Sequence, residues 1–127
     1  MIMEKVLTAN APQPAGHYSQ AIVHNGLVYV AGQLAIDPAT GERKLASIEE
    51  QTEQTLKNVA AILEAAGSDL QHVLKVTVYI SDIDLWGAVN ETYAQVFGEH
   101  RPARAIIPVK ELHYGFKIEI DAIAAVK

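Results

Sequence analysis

The chain has no cysteine. A disulfide scaffold, a Cys-ligated zinc or iron–sulfur site and a thiol nucleophile are therefore excluded. Basic residues are scarce: Lys and Arg total 10 against 15 Asp and Glu, a formal net charge of −5 with neutral histidines. Phosphate binding relies on a surplus of Lys and Arg, so this balance argues against a nucleic-acid partner. Long hydrophobic runs are also missing. No stretch approaches the roughly 20 apolar residues of a membrane span. Met1-Ile2-Met3-Glu4-Lys5 carries neither a long apolar run nor a small-residue cleavage site. No signal peptide is expected there, and the default location is the cytoplasm. There is no G-x-G-x-x-G, no Walker A motif and no G-x-S-x-G. The histidines (17, 24, 72, 100 and 113) show no H-E-x-x-H or other close ligand spacing. Internal repeats, low-complexity tracts and linkers are absent as well.

What remains is a composition that folds. The 127 residues fit a single domain, 1–127, and are 50% apolar and 20% charged. Glu4–Leu7 reads as a short strand and Asn10–Gly16 as a loop, because prolines and a glycine interrupt it. Ala21–His24 and Leu27–Ala31 flank Asn25-Gly26, the strongest short hairpin signal, since both turn residues need positive φ. Gln33–Ile36 is expected to continue the sheet, and Asp37–Glu42 to turn.

Ser47 is an N-cap, and Glu50 completes a capping box for a helix whose apolar stripe runs through Leu56, Val59, Ile62 and Leu63 to a Gly67 cap. Val73–Ile80 is a β-branched strand. Ser81 or Asp82 caps a second helix ending near Phe97, with Trp86, Val89, Tyr93 and Val96 or Phe97 turned inward. Arg104–Val109 and Lys117–Ala124 are the last strands. The order predicts an α+β domain, a mixed sheet with two helices on one face. The face left bare is not cleanly polar, so a homo-oligomer that covers it is expected.

Individual residues give weak chemical signals. Arg104 opens a strand of apolar residues, and its donor fork matches a carboxylate; a structural ion pair is the stronger reading from spacing alone. Glu119 shares a strand face with Lys117, Asp121 and Ile123, so an oligomer contact would partly desolvate it and suit it to orienting water. Asn90 lies beside the stripe of helix two, where a buried amide must find partners. Tyr18 has a phenol in a loop, and Gly32 allows close approach of a ligand to backbone.

Read together, several segments resemble one family in order along the chain. They are Ala11-Pro12 with Gly16-His17-Tyr18-Ser19-Gln20-Ala21, Val30-Ala31-Gly32-Gln33, Asp37-Pro38-Ala39-Thr40-Gly41-Glu42, Ile62-Leu63-Glu64-Ala65-Ala66-Gly67, Val89-Asn90 with Tyr93, Arg101-Pro102-Ala103-Arg104 and Ile118-Glu119-Ile120-Asp121-Ala122-Ile123-Ala124. This pattern, from about Asn10 to Ala124, resembles the RidA (YjgF-like) family of reactive imine and enamine deaminases.

The resemblance implies a chorismate-mutase-like domain, a homotrimer with sites between subunits, and hydrolysis of short-lived imines and enamines such as 2-aminoacrylate to 2-oxo acids and ammonia. It implies no cofactor and no metal. It places the carboxylate-binding role on Arg104 and the water-orienting role on Glu119, with the Ile106 carbonyl helping to hold that water. Gly32 would contribute a backbone N–H to the substrate carboxylate, with Ala31 beside it, and Tyr18 and Asn90 would line the cleft. Against the usual pattern, His17 and His113 stand in place of proline, Ala31 of serine and Ile106 of cysteine. His17 and His113 are either loop residues without a role or residues that reshape the cleft. The competing reading is a non-catalytic binder of 2-oxo acids, which Arg104 alone would serve. A chorismate mutase is suggested by fold alone.

Overall fold

The computed structural model describes residues 2–127. Six strands form one mixed sheet: β1 (Glu4–Val6), β2 (Ala21–His24), β3 (Leu27–Gln33), β4 (Val73–Ile80), β5 (Ala103–Pro108) and β6 (Ile118–Ala125), in the order β1-β2-β3-β6-β4-β5. Only β4 and β5 run parallel. Their connection contains helix α2 (Trp86–Phe97), and α1 (Ile48–Ala65) lies between β3 and β4. Among the described residues no helix is long and apolar enough to cross a membrane.

The hairpin forms at Asn25-Gly26 with φ of 53° and 76°, the left-handed backbone that this dipeptide tolerates. Helix α1 begins as the capping residues require: Ser47 Oγ accepts from the Glu50 N–H at 3.1 Å. The Glu50 carboxylate lies 4.0 Å from Lys44 Nζ, so only the serine half of the expected box is formed. At the other end Gly67 takes φ 83°, the Gly67 N–H donates to the Glu64 carbonyl, and the Ser68 N–H donates to the Leu63 carbonyl. This is the two-bond helix stop that a glycine permits.

Alternation along the strands sets the core. Val28 and Val30, Val76, Val78 and Ile80, and Ile118, Ile120, Ala122 and Ala124 point to the helices and are buried. Each buried isoleucine contributes about 1.5–3 kcal/mol relative to exposure. The opposite face carries Tyr29, Thr77, Tyr79, Glu119, Asp121 and Ile123 and no helix. It is mixed apolar and polar, as the strand parities suggest.

Some expectations need correction. β3 ends at Gln33, and Ile36 makes only an isolated bridge to Arg43. Asp82 caps a 3-10 turn, Ile83–Leu85, rather than the helix itself. Trp86 is 40% exposed while Val89, Tyr93 and Phe97 are buried, because Trp86 stands at the first position of α2, at the end of the stripe.

Helix α1 also stitches loops to the sheet. Asn58 Nδ2 donates to the carbonyls of Leu34 and Ile36, both at 2.9 Å, and Gln51 Oε1 accepts from the Lys117 N–H at 2.9 Å. These bonds fix the chain after β3 and the entry to β6. The Gln20 amide does the same for the N-terminal loop, donating to the Pro12 carbonyl at 2.9 Å and accepting from the Thr8 N–H at 2.7 Å. Replacing Asn58 with alanine strands two carbonyls away from their donor. The expected loss is about 1–3 kcal/mol in urea unfolding; an unchanged midpoint would show that the loop does not need the amide.

Candidate functional site

Arg104 stands on β5 beside Val76 of β4, on the helix-covered face. The helix above it, α2, presents Asn90 and Tyr93 one turn apart on the side that meets β5. Arg104 Nη1 donates to Asn90 Oδ1 at 2.9 Å. The guanidinium carbon lies 4.7 Å from the Tyr93 ring centroid and 5.6 Å from that of Trp86. Burial pushes the Tyr93 phenol up to about 12, so it stays neutral. Among the described residues no carboxylate lies within 4.0 Å of Arg104. The structural ion pair expected from spacing is thus replaced by a neutral amide and aromatic faces. Those contacts hold the fork in place and leave its charge unneutralised. A cavity of about 430 Å³ opens against it, lined by Asn90, Tyr93, His100, Arg101 and Pro102 among others.

Glu119 stands on β6 with its side chain on the bare face. It crosses to β3 where the ladder is irregular: Val30 faces Ala122 and Gln33 faces Ile120, so Ala31 and Gly32 together oppose Asp121. This bulge brings the Gly32 backbone beside the carboxylate. A Cβ at position 32 would collide with Glu119 Oε2, so glycine is what gives Glu119 its seat. Ala31 is anchored at the bulge by its N–H to the Gln20 carbonyl at 2.9 Å.

Tyr18 lies near this seat, 52% exposed, with its hydroxyl accepting from the Ala15 N–H at 3.2 Å. Tyr18 and Gly32 line a second cavity of about 250 Å³. Burial raises the Glu119 pKa above its ordinary 4.5, the neighbouring Asp121 raises it further, and His113 pulls it down. Asp121 in turn accepts from the Tyr79 hydroxyl at 3.1 Å.

The structure therefore groups the candidate residues in two places. Arg104 and Asn90 meet on one face of the sheet. Glu119, Gly32, Ala31 and Tyr18 gather on the other. Ile106 follows Arg104 by two residues, so its side chain returns to the helix face, where it packs against the core. Its carbonyl belongs to β5, an edge strand of the sheet, whose far side is unpaired. Within one chain Arg104 and Glu119 do not share a cleft.

Sequence reading singled out neither Trp86 for the Arg104 site nor Tyr114 for the second cavity. Trp86 is legible once α2 is phased on Asn90, four residues away. Tyr114 has no local signal for this place, since Arg43 and the wall residues Tyr18, Leu34 and Ile36 come from distant segments. Among the described residues no group of three or more His, Asp or Glu is gathered as a metal would require.

The family model described as Endoribonuclease L-PSP matches residues 8–126. A RutC family protein of Pyrococcus horikoshii is 50% identical over 121 residues, 95% of this chain and 96% of its own. A 2-iminobutanoate/2-iminopropanoate deaminase of Homo sapiens is 41% identical over 124 residues, 98% of this chain and 90% of its own. The crystal structure of RidA from an Antarctic Psychrobacter superposes with a TM-score of 0.93 at 36% identity, covering 97% of this chain and 99% of that one.

The electrostatics of Glu119 can be read directly. Carbon-detected NMR titration is expected to place its carboxyl midpoint above 4.5. Asp121→Asn removes a neighbouring negative charge and should lower that midpoint. A native midpoint at or below 4.5 would contradict the burial of this side chain.

Proposed function

The chain belongs to the Endoribonuclease L-PSP family, and from that membership we propose that it is a hydrolytic deaminase of reactive 2-imino and 2-enamino acids in the cytoplasm. The substrate class includes 2-aminoacrylate, and the products are a 2-oxo acid and ammonia. The observation that carries this reading is Arg104: a guanidinium held by Asn90 and aromatic rings, with no carboxylate among the described residues within 4.0 Å of it. Such a group selects a substrate that brings its own carboxylate. The deaminase names of relatives such as the human protein support the same activity.

The chemistry asks little of the protein. The enamine tautomerises to the imine, whose protonated form is electrophilic at carbon. Glu119 orients water and takes its proton as the C–O bond forms. The carbinolamine then collapses, its C–N bond breaks, and ammonia leaves as the carbonyl forms. Positioning and water activation suffice, with no cofactor or metal. A pKa raised by burial makes Glu119 a better proton acceptor than a free carboxylate.

The site needs both halves, and one chain keeps them on opposite faces of its sheet. A second copy resolves this by bringing its Arg104 and Asn90 beside Glu119, Gly32 and Tyr18 of the first. The unpaired edge of β5 and the bare sheet face are the surfaces available for that contact. A homotrimer, as the family resemblance implies, closes such contacts into a ring with a cleft at each junction. The family description names an endoribonuclease, but a net charge of −5 favours a small anion over RNA as ligand.

The first test is 2-oxo acid release from imine freshly generated by a threonine or serine dehydratase, with semicarbazide as the competing trap. Wild type should accelerate release. Arg104→Ala should lose roughly 10- to 100-fold in kcat/KM, the worth of a charge-assisted hydrogen bond. Glu119→Gln should lose roughly 100-fold or more in kcat. Lack of acceleration with either the three- or four-carbon imine, together with tight 2-oxo acid binding, would replace the enzyme by a binding protein.

Sedimentation velocity checks the assembly separately. A trimer is expected for wild type and for Arg104→Ala; a monomer at working concentration would remove the shared cleft.

A further inference from the structure

The second cavity extends beyond what water activation requires. It holds about 250 Å³ and is walled by Tyr18, Leu34, Ile36, His113 and Tyr114, reaching Gly32 beside Glu119. An apolar cavity of roughly 150 Å³ already accepts a benzene ring. The lining contains no Asp, Glu, Lys or Arg side chain.

Tyr114 is held there at a cost. Its backbone lies in the left-handed region, φ 59° and ψ 17°, which a bulky non-glycine residue rarely adopts. Such conformations persist only where surrounding contacts over-determine them. Here the contacts come from three directions. The Arg43 guanidinium lies 3.9 Å from the ring centroid. The His113 ring lies 3.7 Å away and the buried Phe116 ring 6.3 Å away, nearly perpendicular at 83°. Arg43 is itself tied by its backbone bridge to Ile36, another wall residue. The ring is a fixed panel that remains partly exposed at 36%.

The position of the panel relative to the reacting atoms gives it a task. In the proposed reaction the substrate carboxylate goes to an Arg104, and the water stands at Glu119 over Gly32. The remaining substituent on the imine carbon is the amino-acid side chain, and the cavity at Gly32 is the space left for it. We infer that this cavity is the side-chain subsite, that it favours 2-imino acids with an aromatic side chain over three-carbon ones, and that Tyr114 is the residue that sets this preference. The inference rests on the deaminase reading and names its substrate class. Aromatic rings packed offset or edge to face gain beyond simple area burial, and the Arg43 and His113 contacts hold Tyr114 ready for such packing.

The experiment compares kcat/KM for imines generated from phenylalanine and from alanine by an amino-acid oxidase with catalase present. Wild type is expected to favour the aromatic imine. Tyr114→Asn keeps a residue that tolerates left-handed backbone but removes the ring. It should lower the aromatic-to-three-carbon ratio by about tenfold, the scale of one aromatic contact. Arg43→Gln, which leaves the ring but removes its cation, should lower the ratio by less.

A ratio that is the same in wild type and Tyr114→Asn overturns the subsite even if both imines are hydrolysed. Calorimetric binding of phenylpyruvate and pyruvate reads the same cavity without turnover. If neither imine is hydrolysed yet phenylpyruvate binds more tightly and Tyr114→Asn erases the difference, the deaminase reading falls and the subsite stands. If phenylpyruvate shows no advantage in wild type, the subsite falls.

Discussion

Side-chain alternation along β6 is the constraint on which the rest of the molecule depends. Ile118, Ile120, Ala122 and Ala124 fill the core under the helices, and the residues between them, Glu119, Asp121 and Ile123, have no choice but the other face. A shift of register by one residue would bury two carboxylates and expose the core, so the hydrophobic effect fixes the strand within its neighbours β3 and β4. The placement of Glu119 follows from that register. Its partial burial and raised pKa follow from the bulge that lets it lie over Gly32. A core requirement thereby positions a titratable group outside the core.

The same logic applied to β5 gives the opposite result. Arg104 pairs laterally with Val76, so it faces the helices. β5 is an edge strand, however, and α2 covers it only in part. Arg104 consequently lies where a charge can be half-buried, fastened by an amide and two aromatic rings, and still reach a cavity. One sheet thus carries a cationic anchor and a basic carboxylate on opposite faces. Under the proposed function a second copy of the chain would supply whichever half a ligand lacks. In that proposal the parts assigned to the substrate carboxylate are separate from the parts assigned to water and the substrate's side chain.

Most of the fold was legible because its signals are local. Asn25-Gly26 marks its own turn, Ser47 and Gly67 mark the ends of α1, and the Ile118–Ala125 alternation marks both faces of a strand. The errors arose where a tertiary contact overrides the local signal. Gln33–Ile36 is apolar enough for a strand, yet Asn58 takes the Leu34 and Ile36 carbonyls and ends the ladder. Trp86 has the right residue type for a core stripe but stands at the first position of α2, over the Arg104 charge. Arg104 and Glu119 were named from sequence. Their separation was not, since it depends on the pairing of β5 with β4 and of β4 with β6.

The sequence by itself determined the exclusions, the elements and their alternation, because cysteine content, capping residues and period-two patterning act within a few residues of one another. Only the tertiary structure decided that Arg104 has an amide for a partner instead of a carboxylate. It alone decided that Glu119 rests on Gly32, and that Arg43, His113 and Phe116 converge on Tyr114. Apart from the His113 and Phe116 contacts, which are local to Tyr114, each of these is a meeting of elements separated in the chain. Such meetings are chosen by how the sheet and helices pack together, and no local propensity encodes them.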